Sequence, residues 1–327
     1  MNSKNGVLIV MTLSVLLGML IFFPEKGGCQ PREVYKKQVS TVIEHGKAES
    51  RIGFLRGTKD VEFPPVGPES FSIDSRGYTY ICDTVNQRIQ VFSPDGSHQL
   101  SVALAESTVA GDINVDDTGN LFVYDDVQGK LSQYNPSGTL HKTIVVDMTQ
   151  WQSRGPMHIV NDVVYMCTSD QEDVPIGQIV NGELEAPSEA LQNSPMAKGI
   201  HGQSGKTYYV KKLSMNGAQV EVFDTAGAQL FTGTVEVENV ASVTFLREDV
   251  QGNIYIQTER FVPPNKILLD VHKFDEQGNY TAHIPIPENN YGSWSVKLLD
   301  VGKHGDIHQF LPTRMGRSYL HIFRKEQ

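Results

Sequence analysis

Cysteine is scarce in this chain. Its 327 residues include three, Cys29, Cys82 and Cys167, with no CxxC pair and no zinc-type spacing. That argues against a zinc-bound module. Cys82 and Cys167 fall at equivalent points of separate repeats, two units apart, and read as small apolar core residues rather than disulfide partners. Positive charge is also short. Lysine and arginine number 28 against 38 aspartates and glutamates, a net charge of −10. This argues against a nucleic-acid binder, which would normally show a basic face, and fits a solvated acidic surface. A GxSxG elbow, a P-loop and an HExxH helix are all missing, and the Gly-Xaa-Gly pieces are too scattered for a nucleotide fingerprint.

Long apolar runs are absent except at the start, where Gly6 to Phe23 reads GVLIVMTLSVLLGMLIFF without a charge. Such a run spans a bilayer as a helix. It exceeds a usual signal-peptide core, and no A-x-A-like site follows it closely. Gly27-Gly28-Cys29 hints at a lipobox, but Lys26 stands where lipoprotein signals carry an apolar residue. The expectation is an anchor first, a lipoprotein second and a cleaved signal third. Lys4 precedes the run, while Lys26, Arg32, Lys36 and Lys37 follow it, so charge asymmetry does not favour an external C-terminus. Export is still expected, because a span after a short basic segment is the usual export signal.

The rest of the chain repeats. Pro68 to Gly96 (PESFSIDSRGYTYICDTVNQRIQVFSPDG) holds three alternating strands, separated by a turn at Asp74–Gly77, a polar loop and a closing turn at Gly96. The first turn recurs at Gly77, Gly119, Asn161-Asp162, Gly205, Gly252 and Gly305, in steps of about 42 to 53 residues. The second recurs at Gly96, Gly138, Gly182, Gly227 and Gly278, four times behind an aromatic and a turn residue, as in Phe92-Ser93. Two markers in one phase predict an all-β, six-bladed β-propeller. The last repeat stops after three strands, at Gln327, and Glu33 to Ile43 has strand character. That segment is expected to supply the missing outer strand and close the ring. The organisation is then 1–28, anchor or signal segment with a hydrophobic helix; 29–67, linker and closing strand; 68–327, propeller.

At Pro68 to Gly96 the chain resembles the NHL-repeat family, through Phe71-Ser72-Ile73-Asp74, Gly77, Tyr80-Ile81-Cys82-Asp83, Asn86 and Arg88-Ile89-Gln90-Val91-Phe92. Repeats two and five match in part; repeats three, four and six keep only the strand–turn rhythm. The resemblance implies a propeller that acts mostly as an interaction platform. It also implies architectural roles for Asp83, Asn86 and Arg88.

Candidate chemistry sits where propellers place it, in the channel or on the loop face. His158 and His201 align with the inner strands of repeats three and four, while His304 and His308 belong to repeat six. Asp112, Asn114 and Glu248 could offer oxygen ligands. No cofactor is expected from these alone. The alternative is a divalent metal such as calcium or zinc, held in the channel by His158, His201, Asp112 or Glu248 and serving a hydrolase or lyase. On the loop face, Asp125, Asp126, Asp170, Glu172 and Asp173 form an acidic run, followed by basic Lys211, Lys212 and Arg260 beside Glu259. This pattern could orient a charged partner. The leading expectation is a membrane-tethered extracytoplasmic propeller that binds a protein, peptide or glycan without catalysis, with a structural envelope component as a third reading.

Intact-mass spectrometry of the protein from its native membrane is expected to show a chain retaining residues 6–23. A start at lipidated Cys29 would make it a lipoprotein instead, and an unmodified start beyond residue 23 a processed export product.

Overall fold

A short strand with apolar residues at alternate positions buries little by itself, so the repeats must cover one another. The computed structural model describes residues 33–57, 62–147, 154–192, 199–264 and 266–326. They form six antiparallel four-stranded sheets. Blade 1 comprises β2 (Phe71–Ile73), β3 (Thr79–Asp83), β4 (Arg88–Phe92) and β5 (His98–Ala103), with β1 (Tyr35–Glu44) preceding them. Blade 2 is β6 (Ala110–Val115), β7 (Leu121–Asp125), β8 (Lys130–Tyr134) and β9 (Leu140–Val145). Blade 3 is β10 (Arg154–Val160), β11 (Val163–Thr168), β12 (Asp173–Val180) and β13 (Glu183–Glu185). Blade 4 is β14 (Ile200–His201), β15 (Thr207–Ser214), β16 (Gly217–Phe223) and β17 (Gln229–Glu236). Blade 5 is β18 (Val240–Glu248), β19 (Ile254–Val262), β20 (Lys266–Phe274) and β21 (Tyr280–Ile286). Blade 6 holds β22 (Leu299–Val301), β23 (Ile307–Pro312) and β24 (Arg317–Lys325), with β1 as its outermost strand.

Burial follows radial position. Every residue of β3, β6 and β7 is buried, because inner strands lie between two neighbouring blades. Outer β9 alternates between exposed and half-buried positions. The core lies in the gaps between consecutive blades. Phe122, Leu131, Met157 and Val164 pack blade 2 on blade 3; Tyr208, Val220, Val243 and Phe245 pack blade 4 on blade 5. Cys82 and Cys167 lie in different gaps as free thiols. Burial pushes both thiol pKa values up to about 12, which keeps them unreactive.

Two of the second-turn glycines, Gly96 and Gly138, have two reasons to be glycine. Gly96 has φ +86, and a Cβ there would lie 1.8 Å from Thr41 Oγ1 on β1. At Gly138 the added carbon would meet Val102 of blade 1 at 2.9 Å. At these two positions the turn of one blade presses onto the outer strand of the preceding blade.

Ring closure joins distant parts of the chain. β1 pairs antiparallel with β24, from Tyr35 opposite Lys325 to Glu44 opposite Arg317. The segment after β1 is tied to blade 1 by the residues that carry the NHL resemblance. Asp83 Oδ1 accepts the Gly53 N–H at 2.7 Å, and Asp83 Oδ2 accepts Arg88 Nε and Asn86 Nδ2 at 2.9 and 2.8 Å. Arg88 Nη2 also donates to the carbonyls of Ala48 and Arg51, and Asn86 to that of Gly46. The expected hydrophobic helix of residues 1–28 lies outside the described residues. Among these, no helix is long and apolar enough to cross a membrane.

Ile43 of β1 is 2% exposed in the gap between blades 6 and 1, whereas its neighbour Val42 is 52% exposed. Ile43→Ala is expected to lower the unfolding free energy by about 2–4 kcal/mol. Val42→Ala is expected to change it by less than about 0.5 kcal/mol, both read from urea titrations.

Candidate functional site

The inner strands surround a cavity of about 570 Å³ along the channel. Its wall comes from β10, β14, β18 and the approach to β22, with Asn114 of β6 at one side. Lys212 and the blade 3 loop residues Ser169 and Gln171 stand at one end, and Gly202-Gln203 of a first turn at the other. The connection from β21 to β22 crosses toward blades 1 and 2. Ser295 Oγ and the Val296 N–H both donate to the Glu69 carbonyl. Lys297 is 8% exposed, and its Nζ donates to Ile113 O at 2.7 Å and lies 3.0 Å from Asp112 Oδ1. This strap fills the channel on the side of blades 1 and 2.

The structure brings His158 and His201 together through a third residue. Asp173 Oδ2 accepts from His158 Nε2 at 2.9 Å, from His201 Nδ1 at 3.0 Å and from the His201 backbone N–H at 2.6 Å. Tyr165 stacks on His201 at 4.9 Å and on His158 at 5.7 Å. Asp173 is thus not the loop-face carboxylate that its place in the acidic run suggested. It opens β12, is 6% exposed, and joins blade 3 to blade 4. Burial pushes its pKa up, but the two imidazoles outweigh that and hold it below the ordinary carboxylate value.

The other channel carboxylates are held by separate partners. Asp112 accepts from Ser70 Oγ and, through Oδ2, from the Met157 N–H, besides facing Lys297. Asn114 donates to Met157 O. Glu248 accepts the Ser204 N–H at 3.0 Å and lies 3.7 Å from Lys206 Nζ. Among the described residues, no group of three or more His, Cys, Asp and Glu side chains is arranged to hold a metal ion. His304 is exposed on its turn, and His308 is buried in β23 against Thr79 Oγ1.

The loop face is less uniform than its letters suggest. Asp126, Asp170 and Lys212 are exposed there, and Glu172 and Glu259 half-buried. Asp125 departs from the expected partner-facing role. It is 4% exposed and accepts the backbone N–H groups of Val109, Val127 and Gln128. Lys211 is engaged by Glu221, and Arg260 by Asp270.

Sequence reasoning passed over four residues. Lys297 and Tyr165 carry no motif, and their roles depend on contacts with other blades. Arg247 and Asp300 were findable, since each stands five residues before its turn glycine, Gly252 or Gly305, as Asn114 does before Gly119.

A carboxylate with a depressed pKa stabilises the fold above its unfolded value and loses that contribution as pH falls through the folded value. The wild type should therefore unfold at progressively lower temperature as pH drops below about 3.8. Asp173→Asn should unfold at lower temperature near neutral pH and show a flatter acid limb. Equal acid limbs in the two proteins would contradict this role for the clasp.

No protein-family model and no curated protein matches this chain. Solved structures do. A DUF4221 family member from Bacteroides vulgatus is 10% identical over 91% of this chain and 99% of that one, with a TM-score of 0.51. Virginiamycin B lyase from Staphylococcus aureus is 9% identical over 88% of this chain and 99% of that one, with a TM-score of 0.46. Hydrazine synthase from Kuenenia stuttgartiensis is 13% identical over 78% of this chain and 76% of that one, also at 0.46. The first of these likenesses supports the propeller fold, and at such identities none carries an activity across.

Proposed function

We propose that this protein is a non-catalytic binding propeller that takes its ligand at the channel cavity. One observation carries the reading. The cavity is large enough for a ligand, while its most reactive-looking groups are already engaged in contacts within or between blades. His158 and His201 share one carboxylate oxygen, and Asp112 faces a buried lysine. A general base or a metal set would need such groups to converge on one free point.

The wider reading is an extracytoplasmic receptor or scaffold, held at a membrane by residues 1–28 and recognising a peptide, a protein or a glycan. The apolar run at Gly6 to Phe23 supports the tether, and the net charge of −10 speaks against nucleic acid. The first repeat supports an NHL-like lineage through Asp83, Asn86 and Arg88, which here tie the closing segment to blade 1. A hydrolase or lyase is the second reading. It rests on the two Asp173-oriented imidazoles at the cavity.

The test uses the full chain in detergent on peptide and glycan arrays, alongside Thr244→Trp, which places an indole in the cavity wall. A ligand whose binding falls at least about tenfold in the variant, about 1.4 kcal/mol, and which is recovered chemically unchanged supports the proposal. Equal binding by both proteins moves the site out of the cavity, and turnover of the ligand establishes the enzyme reading.

A further inference from the structure

Arg247 and Asp300 occupy matching places on adjacent inner strands. Each lies five residues before the glycine of its first turn, on β18 of blade 5 and β22 of blade 6, and both line the cavity. His308 connects their surroundings. It pairs with Asp300 across the sheet and also feels the charge of Arg247. Burial first, then Arg324 and Arg247, lowers the His308 pKa to about 3, so this imidazole is neutral and supplies no counter-charge at physiological pH.

Neither side chain is satisfied. Among the described residues Arg247 makes no ion pair and no hydrogen bond, although it is half-buried. Asp300 is 7% exposed; its Oδ1 accepts the Val301 N–H, while buried Oδ2 has no partner. The fully engaged Asp112 of blade 2 provides the contrast. A buried carboxylate oxygen without a donor costs free energy, as does a half-buried guanidinium without an acceptor. A ligand that brings one donor and one acceptor would relieve both. The neighbouring wall is apolar, with Val243, Phe245, Leu246 and Leu298.

We propose that the cavity binds the head group of an apolar α-amino or α-hydroxy acid, with its carboxylate on Arg247, its ammonium or hydroxyl on Asp300, and its side chain against Phe245 and Leu246. The guanidinium suits a carboxylate because it can donate two parallel hydrogen bonds. This inference rests on the cavity reading above and narrows it to one ligand chemistry.

The experiment is isothermal titration of the full chain with four probes: L-phenylalanine, L-phenyllactate, L-phenylalaninamide and N-acetyl-L-phenylalanine. The two acids with a free amine or hydroxyl should bind at least about tenfold more tightly than the amide or the acetylated acid. Arg247→Met should remove most of the preference for acid over amide, and Arg247→Lys should restore part of it. Asp300→Asn should weaken phenylalanine more than phenyllactate, because only the ammonium loses a charge partner. Circular dichroism melts of each variant show whether the fold is kept. If Asp300→Asn fails to fold, the Arg247 variants still decide. Absence of binding by either acid at about 10 mM overturns the inference, as does binding indifferent to Arg247→Met. An array ligand blocked by Thr244→Trp in the absence of amino- or hydroxy-acid binding would leave the cavity reading standing and remove only this one.

Discussion

Closure of the ring is the constraint on which the rest of this structure depends. Each blade covers its neighbours, so a ring left open would expose two sheet faces and an edge. The chain meets this by lending β1, drawn from before the first repeat, to the last blade. The join is reinforced on both sides. Asp83, Asn86 and Arg88 fasten the segment after β1 to blade 1, and Gly96 allows the turn of blade 1 to press on Thr41. Backbone pairing, a buried ion pair and a missing Cβ act on one seam. They hold together residues nearly the whole chain apart.

The channel repeats this logic with polar groups. Asp173 links blades 3 and 4 through His158 and His201. Glu248 of blade 5 takes the Ser204 N–H of blade 4. Asp112 gathers Ser70 of blade 1, the Met157 N–H of blade 3 and Lys297 of the strap. Buried carboxylates are tolerable when donors surround them, and donors from adjacent blades also fix the blades' mutual positions. Asp173 Oδ1, Glu248 Oε1 and Asp300 Oδ2 are all buried without a hydrogen-bond partner, but Asp173 and Glu248 take a donor from the adjacent blade through their other oxygen, whereas Asp300 takes only the Val301 N–H.

The strap ending in Lys297 gives the channel its asymmetry. It lies on the side of blades 1 and 2, and the cavity wall comes mostly from blades 3 to 6, with Asn114 of blade 2 at one side. The regular first repeat uses its distinctive residues for closure, while the later repeats form most of the cavity wall.

Blade number and phase were legible in the sequence, because positive-φ turns and close approach leave glycine at Gly77, Gly119, Gly96 and Gly138 whatever surrounds them. The meeting of His158 and His201 was legible as two imidazoles on neighbouring inner strands. The residue that joins them was not: Asp173 sits beside Asp170 and Glu172 in a run of acids, and only folding buries one and leaves another exposed. Asp125 and Asp126 divide in the same way. Local backbone geometry repeats with a period that one sequence can display. Burial and pairing in the channel join groups up to 184 residues apart, as where Lys297 reaches the Ile113 carbonyl, which only the closed ring brings into contact.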